Sequence, residues 1–168
     1  QELLDEHHDF LLLSQHPSAS YTLKSLASTY KMPARMWCHG VYSFLELLRG
    51  KLPGSEEHIL PFIDVSYRMI ALLLESVPVF KGTWIECLGD LALYRKFYGP
   101  EEDSKHWAEV SRDWYNQAAD QNPGDGRIQR HLAVLSRPDI LQGLFHCTKA
   151  LICVCPFPNA LSGMTELV

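Results

Sequence analysis

Alternating apolar and polar residues of the kind that build β-strands are almost missing from this sequence. Long hydrophobic runs are missing too. The most apolar stretch, Met69–Leu74, is closed off by Arg68 and Glu75 and falls far short of the ~20 residues needed to span a bilayer. There is no Gly-rich phosphate loop, no Gly-x-Ser-x-Gly, no His-Glu-x-x-His and no Ca²⁺-loop pattern, so the common signatures of enzymatic chemistry are absent. Neither an Asn-x-Ser/Thr acceptor nor a Cys-x-x-Cys knuckle occurs. The five cysteines, Cys38, Cys87, Cys147, Cys153 and Cys155, form an odd set without disulfide-scaffold spacing. These features favour a reducing compartment, nucleus or cytoplasm, over secretion. Basic residues are in deficit: 15 Lys and Arg against 20 Asp and Glu give a net charge of −5, which argues against nucleic-acid binding by the whole surface. The N-terminal Gln1–Asp9 is acidic and His-bearing, unlike a signal or transit peptide. Because Gln1 opens inside an apparent helix without an initiator Met, the chain reads as a piece of a longer protein.

What remains is helical spacing. The 168 residues, 46% of them hydrophobic and 21% charged, suit one packed domain. Pro- and Gly-rich breakers divide the chain into about eight predicted helices. They cover Leu3–Gln15, a segment capped by Ser18 and running to Tyr30, Pro33–Arg49, Glu56 or Pro61 to Val77, Gly82–Phe97, Ser104–Gln121, Gly126–Ser136 and Asp139–Val154. The fourth carries apolar residues around nearly its whole circumference, which predicts a central position. On it Asp64 and Arg68 stand four apart, either as an internal pair or with Arg68 as the cation of a groove. The domain is expected over residues 1–158, with a loosely packed tail over 159–168.

The second half carries a tetratricopeptide-like imprint. Trp84 precedes Leu88-Gly89 in one helix, and Tyr115, Ala118 and Pro123 follow at the relative spacing of that repeat in the next. Leu132-Ala133 falls where the following unit would place its Leu-small pair. The departure is an apparent loop over Phe97–Lys105, longer than the repeat allows. The expected fold is all-α: antiparallel hairpins stacked as a tetratricopeptide-like, 14-3-3-like right-handed array, with a concave surface suited to an extended partner.

The catalytic and metal candidates are weak. His146-Cys147 and Cys153-x-Cys155 are the best metal ligands on offer, but Cys147 and Cys153 lie six residues apart on different sides of a helix. Glu86 and Asp90, four apart, could be paired acids, although a solvated face or a bond to a neighbouring Arg accounts for them more simply. We therefore expect no enzyme, no cofactor and no metal.

Four phrases, in order, carry a family resemblance. They are Trp37, Tyr42, Glu46 and Arg49 on one helix; Leu88-Gly89-Asp90-Leu91-Ala92-Leu93-Tyr94-Arg95 on another; Trp107, Tyr115, Ala118 and Pro123; and the run from Gly126 to Phe157. Together they resemble the domain shared by the ever-shorter-telomeres telomerase subunit and the SMG nonsense-mediated decay factors. The form is closest to a filamentous-fungal paralogue with an E.S.T.-type DNA/RNA-binding domain. The resemblance implies a 14-3-3-like bundle that binds phosphoserine segments of RNA-surveillance partners or assists telomerase recruitment. In the family's phosphate-binding members a Lys follows the Tyr matched by Tyr42 and an Arg precedes the Tyr matched by Tyr94. Here Ser43 and Leu93 stand at those positions.

The leading expectation is thus a non-enzymatic scaffold that holds a protein segment, phosphorylated or not, in a groove whose candidate residues are Tyr42, Ser43, Arg68, Tyr94 and Arg95. The alternative is a DNA- or RNA-binding module that uses Arg127, Arg130, Arg137 and Lys149 on the last two helices. No membrane and no small-molecule substrate is expected.

Overall fold

The computed structural model describes residues 2–163. Its elements are α1 (Glu2–Gln15), α2 (Tyr21–Thr29), α3 (Met32–Arg35), a π-helical segment (Met36–Tyr42), α4 (Ser43–Arg49), α5 (Glu56–Ser76), a 3₁₀ turn (Pro78–Phe80), α6 (Lys81–Tyr98), α7 (Glu101–Gln121), α8 (Gly126–Leu135), α9 (Ile140–Ile152) and a second 3₁₀ turn (Pro158–Gly163). The fold is all-α. Among the described residues the only β-type contact is an isolated parallel bridge between Asp125 and Cys155.

Local chemistry sets the boundaries. Ser20, not Ser18, caps α2 by accepting the Leu23 N–H at 3.2 Å, while the Ser18 hydroxyl is engaged with His16. Asp125 and Asp139 cap α8 and α9 in the same way, accepting from Arg127 N and Gln142 N. The long loop expected over Phe97–Lys105 does not form. α6 runs on to Tyr98, and α7 starts at Glu101, just past Gly99-Pro100. Pro100 needs no hydrogen bond for its nitrogen there, and Glu101, Glu102 and Asp103 lie against the positive end of the helix dipole. The extra residues lengthen the hairpin arms instead of bulging between them.

α6 packs along α7 and α8 along α9, with α5 laid on α6. One core cluster joins Leu11, Val41, Leu45, Ile63, Ile70, Leu73, Trp84, Leu88 and Leu91; a second joins Ile85, Tyr115, Ala118, Ile128, Leu132 and Leu135. The helices meet closely at Gly89, where an added Cβ would lie 2.9 Å from the Tyr115 ring. The Ser111 hydroxyl also donates to the Gly89 carbonyl at 2.9 Å. The small residue and the aromatic of the repeat imprint are thus direct neighbours.

α5 packs over most of its circumference. Ile59, Ile63, Ile70 and Leu73 are buried, Leu60, Phe62, Met69 and Leu74 lie partly buried against the core clusters, and Leu72, 52% exposed, shares the solvent side with Arg68. Of the expected loose tail, Pro158–Gly163 forms the last 3₁₀ turn against α8 and α9 with Ala160 fully buried, whereas residues 164–168 lie outside the described residues.

Candidate functional site

A groove of about 700 Å³ lies between the π segment with α4, the outer face of α6, and α8. One wall is aromatic: Trp37 and Tyr42 from the π segment, with Tyr94, Phe97 and Tyr98 from α6. Leu93 lies among them. The π segment supplies much of this geometry, because its wider turn rotates the residues after it away from the directions a continuous α-helix would give. Ser43 closes that segment, donating its hydroxyl to the Cys38 carbonyl at 2.7 Å, and does not line the groove.

Polar groups bridge the helices across the groove. The Tyr94 hydroxyl donates to Glu46 Oε1 at 3.0 Å, and Arg49 donates to Glu46 Oε2 at 2.6 Å. Burial, reinforced by Glu46, pushes the Tyr94 phenol up, so it stays protonated and keeps donating. On the α8 side, Arg127 bonds Glu86 at 2.7 Å and Asp125 at 3.3 Å. Glu86 and Asp90 have different partners: Glu86 takes an arginine, while Asp90 accepts the Tyr115 hydroxyl.

Asp90 and His131 line the groove, and both meet the buried Tyr115. Tyr115 stacks on the His131 ring with centroids 4.7 Å apart, and its hydroxyl lies 3.2 Å from His131 Nδ1. Since that hydroxyl gives its proton to Asp90, the Nδ1–H tautomer of His131 is the one that fits. Burial lifts the Asp90 carboxyl to about 6, against the pull of the Tyr115 bond and Arg127. Burial, with Arg130 and Arg127 nearby, lowers His131 to about 4.

These two shifts act oppositely on stability. The folded chain keeps a proton on Asp90 that the unfolded chain releases near pH 4, so stability falls as pH rises from there to about 6. The unfolded chain protonates its histidine below about 6.5 while the folded one resists until about 4, so this contribution falls as pH drops. A quarter of the Asp90 side chain and nearly a third of that of His131 still meet water, which scales each effect to on the order of 2 kcal/mol. Urea unfolding from pH 4 to 7 checks this. Relative to the native chain, Asp90→Asn gains stability as pH rises and His131→Gln loses it; parallel profiles for all three proteins would contradict the assignment.

The other sequence candidates go elsewhere. Arg95, one residue past Tyr94, turns away from the groove, pairs with Asp64 and stacks over Trp107 at 4.6 Å. It is thus Arg95, not Arg68, that partners Asp64. Arg68 and Arg95 meet at a separate notch of about 290 Å³ with Tyr67 and Trp107. Tyr42, Tyr94 and Arg127 share the larger groove, whereas Ser43, Arg68 and Arg95 do not line it. The basic candidates have different surroundings. Arg130 is half-buried near His131, Arg137 lies near Lys96, and Lys149 faces the Phe145 ring at 5.9 Å. Sequence reasoning did not single out His131 or Trp37 as groove residues. The signal for His131 was its place one helical turn past Arg127 on α8. Among the described residues no group of three or more His, Cys, Asp or Glu is placed to hold a metal ion, and no helix is long and apolar enough to cross a membrane.

No protein-family model matches the chain. Individual proteins do. Over 83 residues, 48% of this chain, it is 34% identical to the nonsense-mediated mRNA decay factor SMG7-like of Arabidopsis thaliana. Over 145 residues, 85% of the chain, it is 21% identical to EST/SMG-like protein 2 of Saccharomyces cerevisiae. Both matched proteins carry SMG in their names, and the chain is similar to each over the stretch given. It spans about a tenth of the length of these curated relatives, 9% and 12% respectively. One relative comes from a plant and the other from a yeast, so neither narrows the source to filamentous fungi.

Proposed function

We propose that this chain is a non-enzymatic helical module that holds an extended protein segment in the groove between the π segment with α4, α6 and α8. We place it in nonsense-mediated decay or telomerase recruitment, in the nucleus or cytoplasm. The observation that carries this reading is the groove itself. Trp37, Tyr42, Tyr94 and Tyr98 present aromatic surface on fixed helices, with polar atoms at Glu46 and Asp90 to register a backbone or side chain. Preformed apolar concavities with a few convergent polar groups are the usual form of a recognition site. The names of the two relatives, a decay factor-like and an EST/SMG-like protein, support the same biological setting.

The nucleic-acid alternative has less support, because Arg127, one of its four candidates, already shares its charge with Glu86 and Asp125. Selection of random dodecapeptides against the chain tests the groove reading. Enriched peptides should lose affinity at least tenfold to the Tyr94→Ala protein and keep it with Lys149→Ala. Failure to enrich any peptide, together with salt-sensitive retention of single-stranded RNA, would favour the alternative.

A further inference from the structure

We propose that this groove recognises the side chain of an arginine in the bound segment, laid on the aromatic Tyr94–Tyr98 pair and paired with the Asp90 carboxylate. The proposal rests on the peptide-groove reading above and names what the groove selects.

Among the described residues, every cation lining the cavity is already in an ion pair, Arg49 with Glu46 and Arg127 with both Glu86 and Asp125. Leu93, pointing into the groove, is apolar, and the Ser43 hydroxyl is bonded to a backbone carbonyl outside it. A phosphate would have to compete with these carboxylates for the positive charge of the arginines.

The groove's lining holds two carboxylates, Glu46 and Asp90, and two arginines, and neither arginine is paired with Asp90: Arg49 bonds Glu46, and Arg127 bonds Glu86 and Asp125. Asp90 is thus the lining carboxylate without an arginine in an ion pair, and His131 beside it carries no proton at pH 7. Carboxylates also crowd at Glu86, whose carboxyl is raised by burial and by Asp125 and Asp90 despite its bond to Arg127. Among the described residues, the hydrogen bond to the Asp90 carboxylate is the one from the Tyr115 hydroxyl to Oδ1. Asp90 and Tyr94 are one helical turn apart on α6 and line the same groove, which sets a planar cation on the Tyr94 ring beside that carboxylate. The rings of Tyr94 and Tyr98 are stacked, with planes 14° apart and centroids at 6.2 Å, and both line the groove. A guanidinium fits better than an ammonium: it is planar, stacks on aromatic rings, sheds water more readily, and donates in a fork matched to a carboxylate.

The test uses fluorescein-labelled undecapeptide pools, random except for a fixed central residue: arginine, citrulline, lysine, alanine or phosphoserine. Anisotropy gives the affinity of each pool for the native chain and for Asp90→Asn and Tyr94→Leu, each checked for a native melting transition. We expect the arginine pool to bind at least tenfold tighter than the citrulline pool, with lysine between. The phosphoserine pool should fall below alanine. In Asp90→Asn the arginine-to-citrulline ratio should drop below threefold, and Tyr94→Leu should lower arginine affinity more than alanine affinity. Equal binding of the arginine, citrulline and alanine pools would leave the groove reading standing and overturn the arginine assignment alone, as would preference for phosphoserine. Absence of binding by every pool would overturn both.

Discussion

Replacing Trp84 by Ala should lower the stability of the fold by about 3–5 kcal/mol. Trp84 is fully buried at the start of α6 and belongs to the larger core cluster. It meets Phe80 edge to face with centroids 6.3 Å apart, and its indole N–H donates to the Val77 carbonyl at 3.1 Å. Truncation therefore leaves a cavity where α5, the 3₁₀ turn and α6 converge, and removes the Val77 carbonyl's side-chain donor. For a chain of this length that loss corresponds to a fall in melting temperature of roughly 10 °C. Trp84→Phe separates the two effects: it fills most of the space and loses the hydrogen bond, so about 1–2 kcal/mol is expected. Scanning calorimetry of both variants decides the matter, and a Trp84→Ala protein as stable as the native chain would refute the packing described here.

A single added methyl at Gly126 should cost about 3 kcal/mol. Its Cβ would lie against the Ala150 carbonyl oxygen, 2.8 Å from the Phe157 nitrogen and 3.0 Å from Cys153 Sγ. The first two are backbone atoms already bonded to each other at 2.9 Å, so neither can move aside without breaking that bond. The Gly126 N–H itself donates to the Cys155 carbonyl at 2.9 Å, and Cys155 N–H donates to Gly124 at 2.8 Å. Thus the start of α8 is stitched to the segment after α9 at the one point where no side chain fits. Arg127 is the next residue, so the same substitution should also disturb the Asp125 and Glu86 contacts at the groove rim. Gly82→Ala is the comparison. There the nearest atom is the Gln121 side-chain oxygen at 3.6 Å, and the helix interior favours Ala by about 0.5–1 kcal/mol. Urea denaturation should show Gly126→Ala shifted strongly down and Gly82→Ala level or shifted up.

How far the sequence reveals this molecule depends on the length scale. Breakers such as Pro17, Asn122-Pro123-Gly124 and Pro138 mark real helix ends, because a proline disfavours the α conformation of its predecessor wherever the chain goes next. The Gly89–Tyr115 contact was also legible, since close helix approach demands a small residue opposite a large one. The reach of α6 and α7 through the expected loop was not. Gly99-Pro100 alone breaks the helix, and the acidic run after it reads equally as loop or as first turn. Side-chain directions in the groove were harder still. Each helical residue turns about 100° from the last, so whether Arg95 or Leu93 enters the groove depends on a rotation that spacing alone does not fix. The π segment adds its own rotation upstream of Ser43 and has no sequence signature. The Asp90–Tyr115–His131 cluster joins three helices, and only the packed fold brings its members together.

The claim on which this account turns is that an extended peptide lies along the Tyr94 face of α6. Site-specific photo-crosslinking tests it most directly, with p-benzoylphenylalanine in place of Leu93, or in place of Arg68 at the separate notch, and a selected dodecapeptide added at saturation. We predict efficient cross-linking from position 93, abolished by excess unlabelled peptide, and none from position 68. Cross-linking from position 68 with position 93 silent would contradict the account.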